Sequence, residues 1–172
     1  MKKCTPIVSL FVLYLGQTSC CALADSFDIS QPSGIFINGL SYHFKDLNQQ
    51  SVNLGAGVYY KFKNDMELLG VFDAKKMAIE FDAYDDSYGD FGYAAGVSWK
   101  ANLINNLFIG FKTGLVHEDN ASKSSGLYLI PYAVPFLEFR RGAFGIRSML
   151  VPPLGKITNG YVTLQLSVDL PE

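Results

Sequence analysis

His43 ends one run of alternating residues in this sequence, and Asp86 with Ser87 ends another. An imidazole near a carboxylate and a hydroxyl is the smallest set that can move an acyl group. The imidazole takes the proton of the attacking hydroxyl and the carboxylate steadies the imidazolium. A second hydroxyl donates to the developing oxyanion or attacks the ester itself. Around these residues the chain runs from Asp85 to Asp90 through polar side chains, then from Phe91 to Trp99 through glycine, alanine and aromatics. A catalyst acting on lipid needs that adjacency. A plain hairpin tip on a membrane barrel has it too, because Asp, Ser and Gly gather in turns for reasons of backbone geometry, and a lone histidine at a strand end is commonly just solvated.

The elements that would position these residues are strands. From residue 34 onward the pattern has period two, broken by turn residues. Val162, Leu164, Leu166, Val168 and Leu170 share one face, against Thr163, Gln165, Ser167 and Asp169 on the other. Phe91, Tyr93, Ala95, Val97 and Trp99 alternate in the same way with Gly92, Ala94, Gly96, Ser98 and Lys100. Large residues facing lipid and small or polar ones facing a lumen account for both runs. The pattern predicts strands at 34–44, 53–63, 76–87, 91–101, 106–117, 126–138, 142–151 and 160–170. They would close an all-β, eight-stranded antiparallel transmembrane barrel. Met66 to Phe72, between Asn64-Asp65 and the Asp73 to Lys76 turn, is expected to be an irregular strand extension or a periplasmic insertion. A ninth strand would put the chain ends on opposite sides. Threading up from the periplasm brings His43, Asp86 and Ser87 to one outer rim. Parity points His43, Ser41, Gly39 and Ile37 into the lumen, and likewise Asp86, Tyr84, Asp82 and Glu80.

Composition narrows the classes. At 172 residues the chain is expected to hold one domain after its leader, and a net charge of -2 without a clustered basic face argues against nucleic acid. After residue 24 no run approaches the ~20 apolar residues of a membrane helix. Residues 1–24 read as a secretory signal peptide, with Lys2 and Lys3, an apolar stretch from Ile7 to Gly16, and the small-residue site Ala22-Leu23-Ala24. That leaves 25–172 as the barrel, exported to the outer membrane of a Gram-negative bacterium. Cys4, Cys20 and Cys21 all fall in the leader. No Cys or His cluster has metal-ligand spacing and no glycine-rich phosphate loop follows a strand, so neither metal nor cofactor is expected.

Several short segments, in order and at near-constant separation, resemble the PagP family of outer-membrane lipid A palmitoyltransferases. They are Asp86 to Asp90, Tyr93 to Gly96 with Trp99, Ile109 to Gly114, Asp119-Asn120, Ile130 to Pro135, Val151-Pro152 and Asn159 to Val162. Tyr42-His43 stands where that family has its strand-end histidine. The resemblance covers roughly residues 35 to 168. It implies transfer of a palmitoyl chain from the sn-1 position of a phospholipid donor to lipid A of lipopolysaccharide, with His43, Asp86 and Ser87 as the catalytic set. It implies an acyl-pocket floor at Ser98, where the family has glycine. It also implies lateral lipid access at Pro131 and Pro152, prolines that weaken bonding between adjacent strands; a proline has no ladder donor, so the physics agrees.

The sequence also departs from that family. Only Asp25 to Ser33 precedes strand one, too little for a surface helix. Glu80 and Asp82 point into a lumen that should be apolar, and burying a carboxylate there costs several kcal/mol unless it is paired. Lys112 and Arg147 share the lumen side and are expected to pair with them, plugging the lower barrel. Ion pairs below the pocket leave an enzyme; ion pairs filling the lumen leave a non-catalytic structural or adhesive barrel. A third candidate is a lipid A deacylase built on His117, Glu118, Asp119 and Ser122, although alternation points His117 away from the lumen, and its loop reads as a solvated turn. Arg140-Arg141 reads as a solvated pair at a periplasmic turn, and Lys123 and Lys156 as outer-loop lysines.

Overall fold

The computed structural model describes residues 32–45, 51–62, 67–68, 72–153 and 159–171. The expected leader with its cysteines, the stretch before Pro32, the Asn64-Asp65 turn and Lys156 lie outside these residues. In chain order the elements are β1 (Gly34–His43), β2 (Val52–Lys61), the short β3 (Glu67–Leu68) and β4 (Phe72–Asp73), β5 (Met77–Asp85), β6 (Phe91–Ile104), β7 (Leu107–His117), helix α1 (Asp119–Ser125), β8 (Ile130–Arg141), β9 (Phe144–Val151) and β10 (Tyr161–Asp169). Eight of them close an antiparallel barrel in the order β1-β10-β9-β8-β7-β6-β5-β2. β3 and β4 pair only with each other and lead into a 3-10 turn at Ala74–Lys76, where the Asp73 side chain accepts from the Lys75 backbone N–H. Glu67–Leu68 and Phe72–Asp73 thus form a separate two-stranded piece and add no ninth strand to the barrel; the rest of the Met66 to Phe72 stretch lies outside the described residues.

Alternation sets the two faces. In β10, Gln165 and Ser167 are buried while Leu164 and Leu166 are exposed; in β8, Val134, Phe136 and Glu138 are buried while Leu137 and Phe139 are exposed. β1 breaks the rule once. Its register shifts between Asn38 and Leu40 against both neighbours, a β-bulge at Gly39. Below the bulge Phe36 and Asn38 face inward, and above it Ser41 does. Ile37, expected inside, is 54% exposed on the outer face. An extra residue in one strand reverses parity beyond it, so counting down from His43 fails once the bulge is crossed.

Both described chain ends lie at one end of the barrel, here called the lower end, together with the tight hairpins at 105–106 and 142–143. Asn106 and Gly142 take positive φ there, 58° and 60°, the left-handed region that asparagine and glycine reach at least cost. The upper end carries longer segments, including 86–90 and α1. The residues expected to begin a strand at 126 form instead the end of α1, closed by Gly126 at φ 73° with its N–H on the Ser122 carbonyl. β8 consequently starts at Ile130 and runs three residues beyond its expected end.

Candidate active site

The lower lumen is filled by charge. From the lower end upward acids and bases alternate. Lys61 lies 2.9 Å from Asp169, which also binds Arg140; Arg140 Nε reaches Glu138 at 3.0 Å. Lys100 and Arg147 hold the same Glu138 at 2.5 and 2.9 Å. Arg147 then reaches Glu80 at 2.8 Å, and Lys112 bridges Glu80 at 3.2 Å and Asp82 at 2.6 Å. Glu138 and Glu80 are essentially inaccessible to water, and such carboxylates persist only when paired this fully. The expected pairing of Lys112 and Arg147 with the two lumen acids is present. Arg140 is not a solvated rim residue: because β8 extends through Arg141, Arg140 keeps the inward parity of Glu138, and only Arg141 stays outside.

Ser98 faces the lumen as its alternation predicts, but it belongs to this charged layer. Its hydroxyl donates to Glu80 Oε1 at 2.6 Å, and it does not line the open space above. That space is a cavity of about 150 Å³ with the Asp82 and Lys112 pair at its base and Val116, Val134, Met149 and Val151 among its walls. The ion pairs therefore stop at mid-barrel and leave the upper lumen open, with Glu118 the further acid in its lining. The Tyr132 hydroxyl reaches into it across Gly96, where an added Cβ would meet it at 2.8 Å. It is buried there without a well-formed hydrogen bond, beside the Lys112 ammonium.

Above the cavity, His43, Asp86 and Ser87 share the upper rim as expected. They do not form a directly bonded set. His43 Nε2 lies 3.1 Å from Ser41 Oγ, Ser41 donates to Asn53 Oδ1 at 3.1 Å, and Asn53 Nδ2 donates to Ser87 Oγ at 2.9 Å. This chain fixes roles. Ser41 donates its hydrogen to Asn53 Oδ1, so its contact with His43 suits the tautomer that donates from Nε2–H and keeps its lone pair on Nδ1. Ser87 accepts from Asn53 and keeps its own proton to donate. Asp86 Oδ1 accepts the backbone N–H groups of Tyr88 and Asp90 at 2.8 and 2.9 Å, which shapes the turn presenting Ser87. Its other oxygen, Oδ2, is buried without a partner. No hydrogen bond or ion pair joins His43 to Asp86 among the described residues. Two cavity-lining residues tie the rim to the space below: Asn53 through the chain just described, and Tyr161, whose ring lies 5.2 Å from that of His43. The sequence pattern singled out neither. Asn53 was legible in principle, since it shares inward parity with Gly55, Gly57 and Tyr59 in β2.

One wall of the cavity is unzipped. β8 pairs with β7 from Phe139 up to Ile130, but with β9 only from Arg141 to Phe136. Residues 130–135 have no ladder partner on the β9 side among the described residues. Pro131 and Pro135 lie in that stretch, and Pro152 follows the last residue of β9. Each lacks a backbone donor, so the two edges cannot close a regular ladder. Pro131, Val134, Met149 and Val151 border both this seam and the cavity.

The second histidine is built differently. His117 Nδ1 lies 2.7 Å from the Tyr128 carbonyl oxygen, which can only accept, so Nδ1 carries the hydrogen. It cannot then take a proton from Ser122, whose hydroxyl also points to that carbonyl at 3.2 Å. Nε2 faces Asp119 at 3.3 Å, and the Tyr93 and Tyr128 rings flank the imidazole. This is a clasp for α1, without the hydrogen-bond order of a nucleophile and base. Glu118 beside it accepts from the Tyr84 hydroxyl at 2.7 Å. Burial pushes its carboxyl above the ordinary carboxylate range, and that hydrogen bond offsets the effect only in part. Among the described residues no three His, Cys, Asp or Glu side chains gather as a metal site requires. No protein-family model matches the chain, and no curated protein matches it.

Proposed function

We propose that this barrel spans the outer membrane and is an acyltransferase of the PagP type, moving a fatty acyl chain from a phospholipid to lipid A. The observation that carries the proposal is the unzipped β8 and β9 seam opening on a cavity whose mouth holds His43 and Ser87 in one hydrogen-bonded chain. The outward faces support the membrane location. Ile37, Leu115, Leu137, Leu150 and Leu166 are all exposed, and a soluble monomer rarely shows apolar patches beyond a few hundred Å². Two of the three lower connections, at 105–106 and 142–143, are tight turns of the kind found on the periplasmic side of an outer-membrane barrel, and the 62–76 insertion is the exception.

The donor's acyl chain enters through the seam and lies in the cavity, leaving its ester at the rim. A lipid A hydroxyl attacks the ester carbonyl carbon while His43 Nδ1 takes its proton. Ser87 donates to the carbonyl oxygen as it becomes an oxyanion, a contact that strengthens only in the transition state. The tetrahedral intermediate then collapses, the bond from acyl carbon to glycerol oxygen breaks, and the imidazolium returns the proton to that oxygen. The products are acylated lipid A and a lysophospholipid. Asp86 sets the turn that carries Ser87, and its unpartnered oxygen adds negative potential at the rim where the imidazolium forms.

His43→Ala is expected to lower transfer at least ~100-fold, the scale of a lost general base, while the barrel still folds. Thin-layer chromatography of labelled phospholipid and lipid A with purified protein checks this, and an active His43→Ala protein removes the mechanism. The charged lower lumen favours a second reading, a structural barrel without chemistry. A folded wild-type sample that yields no lysophospholipid would establish it.

A further inference from the structure

Taking the acyltransferase reading as its premise, we infer that the socket admits a medium-length acyl chain and stops at the Asp82 and Lys112 pair, well short of a full palmitoyl chain. Asp82 lies four residues below Asp86 on the strand that rises to the rim. At about 3.4 Å per residue along a strand tilted by about 40°, that separation is a depth of about 10 Å. A bilayer core of about 30 Å holds two layers of tails, so a full-length tail needs about 15 Å. The socket therefore takes about two-thirds of one, or about ten carbons.

The floor is firm. Lys112 is held by both Asp82 and Glu80, with the Phe36 ring under its ammonium at 5.6 Å. One layer down, the Arg147 guanidinium lies 4.4 Å from the Phe136 ring centre. Phe36 and Phe136 are 2% and 3% exposed, so cations and buried rings pack against each other in the layers below the cavity. Threading methylenes further down would part the Lys112 pairs inside a dry lumen and leave buried charges uncompensated. Ser98 lies within this layer, bonded to Glu80, so the polar plug sits higher than a floor at Ser98 would. Tyr132 adds a second limit, since its hydroxyl lies in the same cavity beside Lys112.

The test measures tail length apart from chemistry. Wild-type barrel held in amphipol is titrated with alkylphosphocholines of eight to sixteen carbons, and affinity is read by calorimetry. Each buried methylene raises affinity about fourfold, so binding is expected to climb to about ten carbons and then level off. An unbroken climb through sixteen carbons overturns the inference, as does affinity that ignores chain length. Tyr132→Phe removes a hydroxyl that lies beside the Lys112 ammonium, which keeps its pairs with Asp82 and Glu80, so folding is preserved. It should tighten the twelve-carbon probe at least about twofold, a fraction of one methylene's effect. Asp82→Asn with Lys112→Met neutralises the floor while Glu80 keeps Arg147, and should move the levelling point upward. Donors with the same range of sn-1 chains are then offered with lipid A. A levelling near ten carbons with no transfer from any donor upholds the socket and sinks the acyltransferase. Transfer that prefers sixteen carbons does the reverse.

Discussion

The two halves of the lumen solve opposite problems. Below Asp82 every carboxylate has cationic partners and the β8 and β9 ladder is complete from Arg141 to Phe136. Above it the same two strands part, a cavity opens, and Asp86 Oδ2 is buried at the rim without a partner, while lower down Gln165 Oε1, opposite Arg147, is a lone exception to the paired lumen among the described residues. In a native protein unsatisfied groups are few and concentrate where something else is meant to bind. The lower half therefore carries stability, and the upper half gives some up to keep its cavity open.

Substitutions can separate these roles. The largest loss of stability is expected from Glu138→Ala, which strands Lys100 and takes one of their two acids from Arg140 and Arg147 in the lower lumen. Removing one member of a buried ion set costs ~3–5 kcal/mol, measurable by urea unfolding in lipid vesicles, and a near-neutral result would break the division between the halves. Asn53→Ala should act on the other quantity. It cuts the link from Ser41 to Ser87 and frees the His43 tautomer, so transfer should fall on the order of tenfold, with a stability loss of about 1 kcal/mol for the lost hydrogen bonds. Equal losses from both substitutions in both assays would mean the lumen is one unit.

The smallest effect belongs to Glu118 and appears as a dependence on pH. Because burial raises its carboxyl above the ordinary value of 4.5, the folded barrel binds that proton more tightly than the unfolded chain does. The cost is absent below the unfolded value and grows as pH rises from there through the raised folded value. Glu118→Gln cannot ionise, so it should match wild type at about pH 4 and be the more stable of the two at about pH 8. A gain of the same size at both values would assign the effect to packing instead.

Much of this was legible in the sequence, and the exceptions have local causes. Period-two alternation located all eight strands and the inward direction of His43, Ser41, Glu80, Asp82, Ser98, Lys112 and Arg147, because one face of each strand must be small or polar. It misplaced Ile37 because a bulge at Gly39 adds a residue that leaves no mark in hydropathy. It read Arg140 as solvated because the strand was ended at residue 138, three short of where the ladder stops. The rim trio was found by type and position, but the bonds that organise it pass through Ser41 and Asn53. Neither stands out until two strands are laid side by side. The α1 helix escaped for a related reason: Asn, Ser and Lys suit a turn as well as seven helical residues, and the choice is settled by the His117 clasp and Gly126.

The central claim is that an acyl chain reaches the rim groups through the seam between β8 and β9, and closing that seam tests it. Carried upward from Phe136 opposite Met149, the register sets Ala133 against Pro152. Ala133→Cys with Pro152→Cys would supply the only thiols outside residues 1–24. Lysophospholipid release by this variant, followed in vesicles of phospholipid and lipid A, should drop at least ~10-fold on oxidation and return on reduction. Equal turnover in the oxidised and reduced barrel would contradict the account.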